Sequence, residues 1–216
     1  MEATATPPDA RASVPGPATA QMAPLTRAQR VGRALSVALH PFVLVPLSIV
    51  LASRALPLGS RAAVLGTTAC VAAVIAAFVA HELRRGAVTD LDVSVARDRP
   101  RLFAVSIGAL VASAAVLSLA GGPPAAVLGM GAAAVMLIVA SVINRWIKVS
   151  LHVSFAVYAA AVCWQAGAFT FGAMALAAVA VGWARVAYNR HTRLEVACGY
   201  ALGTLAGVLV QLLVRR

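Results

Sequence analysis

Charge is what this chain has least of. Only 12% of its 216 residues are charged while 61% are hydrophobic, about half the charged share of an ordinary soluble domain (roughly 25%). That scarcity excludes a water-solvated globule of this length. Lysine is nearly missing, with Lys148 the only one. Carboxylates number seven, and Glu195 is the only one after Asp98, so no acidic cluster can form in the second half of the sequence. The three cysteines, Cys70, Cys163 and Cys198, stand singly in apolar runs. Without paired spacing they exclude a disulfide framework or a zinc site and read as small buried apolar residues. Aromatics are only 6% and do not interleave with basic residues, so the net charge of +11 does not signal nucleic-acid binding.

Long apolar runs are abundant. The mean hydropathy is +0.88, and a transmembrane helix needs about 20 apolar residues. Seven runs stand out, over 35–53, 62–81, 102–120, 124–143, 151–167, 169–186 and 196–213. Gly121-Gly122-Pro123-Pro124 marks a tight turn between the third and fourth, whereas only Gln165-Ala166-Gly167 separates the fifth from the sixth. Abundant Ala and Gly fits helices that pack closely in a bilayer. The expected fold is all-α, a polytopic transmembrane helical bundle of about six to seven spans. A tail over 1–30, rich in Ala, Pro and Thr and disordered in its first 26 residues, precedes the helical domain over 31–216.

Threading seven spans through a bilayer puts the 2–3, 4–5 and 6–7 loops on the side of the N-terminal tail. That side collects His40, His81, His152 and His191 and nearly all the charge. The other side receives Arg54, Arg61 and the terminal Arg215-Arg216. The positive-inside rule, with Arg27, Arg30 and Arg33 leading the first run, puts the crowded side in the cytoplasm of a bacterial-type plasma membrane.

The crowded loops carry chemistry. In the 6–7 loop, His191 and Glu195 fall on one face if the chain is helical from His191 onward. A carboxylate there holds the imidazole in one tautomer, as a nucleophilic or general-base histidine requires. Arg185 stands at the end of the preceding run, where a guanidinium can fork onto phosphate oxygens. The 4–5 loop ends Lys148-Val149-Ser150-Leu151-His152 and offers a cation, a hydroxyl and a titratable ring to a phosphate and its leaving group. The 2–3 loop mixes Asp90, Asp92 and Asp98 with Arg97, Arg99 and Arg101. Its carboxylates suit either Mg²⁺ or the neutralising and orienting of Arg97 and Arg99.

Three motifs in order, Arg99-Pro100, Ser150-x-His152 and Arg185-x5-His191-x3-Glu195, resemble those of the type 2 phosphatidic acid phosphatase superfamily of membrane lipid phosphatases. Its pattern is Lys-x6-Arg-Pro, Pro-Ser-Gly-His and Ser-Arg-x5-His-x3-Asp, and the resemblance covers about 85–200. It implies that His191 is the nucleophile forming a phosphohistidine, that Glu195 orients it and that His152 protonates the leaving alkoxide. Arg99, Ser150 and Arg185 would hold the phosphoryl oxygens, helped by Arg97 and by Lys148 in place of the family's first lysine. No metal or other cofactor is implied; the partners are the bilayer and a lipid or polyprenyl phosphate. The departures mark a divergent member: Asp92 stands where the lysine belongs, Val149 and Leu151 flank Ser150, Ala184 replaces the motif serine, and Glu195 replaces aspartate.

Two other readings compete. Asp90 and Asp92 near Arg99-Pro100 also resemble the first acidic motif of intramembrane prenyltransferases, which hold a diphosphate through Mg²⁺, although the second acidic motif has no counterpart here. A catalytically inactive membrane protein such as a transporter would instead place charges at mid-bilayer depth, where these runs are bare.

Overall fold

The computed structural model describes residues 24–88, 95 and 99–215. Their regular structure is all helical, with α1 (Arg27–Ala38), α2 (Pro41–Ala52), α3 (Leu58–Arg84), α4 (Arg99–Leu119), α5 (Pro124–Ile143), α6 (Leu151–Val162), α7 (Ala168–Ala187) and α8 (Arg193–Val214). All seven apolar runs are therefore helices. Five of them, α3, α4, α5, α7 and α8, are long and apolar enough to cross a bilayer, and α1 with α2 brings the number to six where the bent pair counts as one span. The chain is an integral membrane protein with an all-α bundle. The 27 residues of α3 extend about 40 Å, beyond the roughly 30 Å hydrocarbon core, which carries His81, Glu82 and Arg84 out to the interface.

Two expectations are corrected. The first run is not one continuous helix over 35–53, because α1 and α2 meet at a 47° bend. Pro41 has no N–H to continue the ladder and disfavours the helical conformation at the residue before it. His40 accordingly takes extended backbone (φ −62°, ψ 148°). The fifth run forms a shorter apolar helix, Leu151–Ala166, below ordinary span length; its last turn is a 3-10 turn over Cys163–Ala166. The break at Gln165 nevertheless holds. Gly167 adopts φ 112°, open only to glycine, and α7 then runs back. At the other boundary, α1 starts at Arg27 behind a Thr26–Gln29 capping box, so the helical part begins before residue 31.

α6 is the centre of the bundle, lying against α2, α7 and α8. It runs parallel to α8 along a seam of Gly199, Gly203 and Gly207, spaced four apart. A Cβ on Gly199 would sit 2.8 Å from the Ser150 carbonyl oxygen, and one on Gly203 only 2.5 Å from that of Ser154. The missing side chains let the two backbones meet, the usual means of helix association where lipid supplies no hydrophobic drive. Polar ties complete the packing: Tyr158 Oη donates to the Gly129 carbonyl at 2.7 Å, and Gln211 Nε2 donates to the Ala161 carbonyl at 2.7 Å. Between helices in a bilayer each such bond contributes about 0.6 kcal/mol.

Because the helices alternate in direction, the α2, α4, α6 and α8 N-termini gather at one end with the α3, α5 and α7 C-termini. Arg99 on α4 bonds the Val149 carbonyl, Arg101 meets Glu82 of α3 at 3.3 Å, and the Ser150 N–H donates to the Glu195 carbonyl at 3.2 Å.

Candidate active site

The spacing of the third motif has a backbone explanation. α7 ends at Ala187 with Tyr188 as its C-cap, and Asn189 turns the chain through the left-handed region (φ 57°), which asparagine tolerates better than most residues. The turn folds the Arg190 and His191 N–H groups onto the Arg185 carbonyl, at 3.0 and 3.1 Å. Arg185-x5-His191 is thus the closure of a helix end. The next four residues open α8. Thr192 is its N-cap and Glu195 its third residue, in a capping box: Thr192 Oγ1 accepts from the Glu195 N–H, and Glu195 Oε2 accepts from the Thr192 N–H at 3.1 Å.

The same Glu195 Oε2 lies 2.9 Å from His191 Nδ1. His191 precedes the helix, so the expected shared helical face is not what joins them; the capping box aims the carboxylate back at the ring. With Nδ1–H donating to Glu195, the lone pair of the neutral ring is on Nε2. The side chain is buried, and this burial, then the nearby Arg185, Lys148 and Arg99, pushes its pKa from 6.5 down to about 3, with a backbone hydrogen bond at Lys148 acting the other way. At pH 7 the ring is neutral and nucleophilic without a deprotonation step.

A stability consequence follows from the direction of that shift. Between pH 6.5 and 3 the unfolded chain binds a proton at His191 that the folded chain refuses, so this contribution is complete above 6.5 and declines as the pH falls. At pH 5 the loss is about 2 kcal/mol, or a midpoint lower by about 4–8 °C for a domain of this size. His191→Gln, which cannot titrate, is expected to flatten the difference between thermal unfolding in detergent at pH 7 and pH 5. An unchanged pH response in the variant would contradict the neutral burial.

Around the histidine the structure gathers most of the expected cations. Arg185 is 1% exposed and Arg99 3%. Arg99 Nη1 donates to the Val149 carbonyl at 2.9 Å and to Asn144 Oδ1 at 3.3 Å, so part of its fork locks α4 to the 4–5 loop. Lys148 Nζ donates to the Arg190 carbonyl at 2.9 Å. Burial depresses its pKa; Glu195 opposes this, while Arg99, Arg185 and Arg190 add to it. Ser150 is fully buried at the start of α6, and its Oγ has no hydrogen-bond partner among the described residues. Arg97, Asp90 and Asp92 lie outside the described residues, and so does any choice between their roles.

His152 is the second residue of α6 and buried. It lines a different space, a cavity of about 370 Å³ walled mainly by apolar residues of α2 to α6 and α8. His40 and His152 line it together with Phe155 and Tyr158, and Gln165 and Gln211 line it too. Since α6 starts at the charged end and Gln165 follows its last turn, the cavity reaches from the charged end to the opposite end of the bundle. Ser150, Arg185 and His191 do not line it. The first turn of α6, Ser150 to His152, connects the cation cluster to the cavity.

Two contributors escaped the sequence reading of the site. Asn144 was legible only as a loop residue, although it braces Arg99. His40 is one of four histidines on the crowded side of the sequence, and nothing local indicates that it meets His152. The Thr-x-x-Glu pattern at 192–195 was the available signal for the cap. Compared with known proteins, the chain matches no family profile, no curated protein and no solved structure.

Proposed function

We propose that this chain is a membrane phosphatase that hydrolyses a lipid or polyprenyl phosphate through a phosphohistidine on His191. One observation carries the reading: a buried neutral histidine, oriented by a carboxylate among Arg185, Lys148 and Arg99, adjoins a long apolar cavity whose charged end holds a second histidine. The cavity suits a hydrocarbon chain and the cations suit a phosphate, which is the division a lipid phosphate needs. The unpartnered Ser150 hydroxyl supports it, since a buried hydroxyl without a partner costs about 1–3 kcal/mol and a phosphate oxygen would relieve that cost.

In the reaction, the His191 Nε2 lone pair attacks phosphorus and the bond from phosphorus to the lipid oxygen breaks. His152, in its protonated form, gives that oxygen its proton and the lipid alcohol leaves. Water then loses a proton to His152 and attacks phosphorus, the P–N bond breaks, inorganic phosphate departs, and both histidines return to their starting states. Arg185, Arg99 and Lys148 stabilise the equatorial oxygens as charge moves to the leaving group. Glu195 stabilises the imidazolium form of His191 once phosphorus is bound. With Arg27, Arg30 and Arg33 on the same end, the positive-inside rule supports a cytoplasmic site in a bacterial-type plasma membrane.

The test is trapping. Purified protein mixed with ³²P-labelled lipid phosphate and quenched in alkali is expected to retain acid-labile, base-stable label on the chain. No label alongside steady phosphate release would remove the covalent route, and a strict Mg²⁺ requirement for turnover would favour the prenyltransferase-like reading.

A further inference from the structure

His40 is a histidine in a place that a simpler residue would fill. It is the N-cap of α2, and its Nδ1 accepts from the Phe42 N–H at 3.2 Å. Asparagine, serine or aspartate caps a helix at least as well, so capping does not account for an imidazole. What the ring adds is contact. It stacks on Phe42, with centroids 5.2 Å apart and planes at 17°, and it meets His152 edge to face, with centroids 4.6 Å apart and planes at 90°. Aromatic rings favour both geometries.

The cap also fixes the chemistry of the ring. Accepting from a backbone N–H requires the Nδ1 lone pair, so the ring proton of neutral His40 is on Nε2. The bond from the Phe42 N–H to Nδ1 and the stack on the Phe42 ring hold the imidazole against rotation. His152 belongs to a helix far along the sequence, and both rings line the charged end of the apolar cavity.

We propose that His40 is a positioning residue: its ring, locked by the α2 cap and by Phe42, holds the His152 imidazole in the orientation that delivers a proton to the leaving lipid oxygen. The proposal rests on the phosphatase reading for its kinetic consequence but not for its geometry. Misplacing a catalytic group by about 1 Å costs up to 100-fold in rate.

His40→Asn keeps the cap and removes the ring; His40→Phe keeps the ring and removes the acceptor. On an alkyl phosphate, whose leaving oxygen needs a proton, His40→Asn is expected to lower kcat about tenfold with little change in KM, and His40→Phe to recover most of that loss. In the pre-steady-state burst of phenolate from an aryl phosphate, which reports transfer to His191 before water is activated and needs no proton on the leaving oxygen, the asparagine variant is expected to stay within about twofold of the parent. Combined with His152→Ala it is expected to add no further loss, because two residues serving one step are not additive. Equal losses on both substrates, or additive losses with His152→Ala, would overturn the proposal. An activity-independent measurement separates it from the phosphatase reading. In protein labelled with ¹⁵N-histidine, the His152 ring resonances are expected to shift or broaden in His40→Asn and to be largely restored in His40→Phe. Unchanged resonances would sink the positioning role even in an active enzyme. Absence of any phosphatase activity in the parent, with the resonances responding as expected, would overturn the function and leave the geometry standing.

Discussion

Replacing His191 by alanine is expected to lower phosphate release from a lipid phosphate by about 1,000-fold or more, because a covalent route has no substitute nucleophile. The fold is expected to survive. The His191 N–H that bonds the Arg185 carbonyl remains in alanine, and the capping box between Thr192 and Glu195 does not use the imidazole. Glu195 separates the two parts of the arrangement. Glu195→Gln can still accept at the Thr192 N–H and from His191 Nδ1, since glutamine serves a capping box as well as glutamate, but it removes the charge that stabilises the imidazolium. It is expected to lose about 100-fold in kcat with little loss of stability. Glu195→Ala also loses the bond from the Thr192 N–H, half of the capping box, costing about 1 kcal/mol, while Thr192 Oγ1 still accepts from the N–H at 195. Retention of more than a tenth of the parent rate in His191→Ala, in a monodisperse preparation, would remove His191 from the chemistry.

The second large effect is expected at the helix seam. A Cβ on Gly203 would lie 2.5 Å from the Ser154 carbonyl oxygen and 2.9 Å from Val157 Cβ, and a helix backbone cannot yield locally. Leucine there must push α6 away from α8 at a cost of about 3 kcal/mol or more, lowering the thermal midpoint by about 6–12 °C. The same displacement pulls Ser150 from the Glu195 carbonyl and moves His152 relative to His191, so activity is expected to fall along with stability. Gly172 on α7 is the control, because a Cβ added there would meet no atom within 4 Å. Alanine at that position is expected to be neutral or slightly stabilising, by up to about 1 kcal/mol. Equal thermal midpoints for Gly203→Leu and Gly172→Ala would refute the close approach.

Much of this architecture was legible in the chain. The apolar runs all became helices, Gly121 and Gly167 fell at turns, and Arg99, Lys148, Arg185 and Glu195 met at one end. The limits were specific. Pro41 lies inside the first run, and the two helices that it separates pass for a span only together, as a bent pair. Asn189 and the Thr192–Glu195 cap explain the motif spacing, but an i, i+4 rule finds the His191–Glu195 pair for a different reason from the one the backbone uses. Arg99 was read as a phosphate ligand, yet it also fastens α4 to the Val149 carbonyl, a partner that carries no side-chain signal.

What the sequence by itself determined was everything that depends on one helix at a time: an all-α membrane class, the turns, and a histidine and a carboxylate four residues apart. These follow from hydropathy, helical period and local backbone preference, which act over a few residues. Only the tertiary structure decided which loop residues share a site. The contacts of His40 with His152, Arg99 with Val149, and Gly203 with Ser154 join positions far apart in the sequence. They depend on the register and separation at which whole helices pack. The burial that leaves His191 neutral is likewise a property of the assembled bundle, because Arg99 of α4, Lys148 of the 4–5 loop and Arg185 of α7 come beside it only when the helices pack.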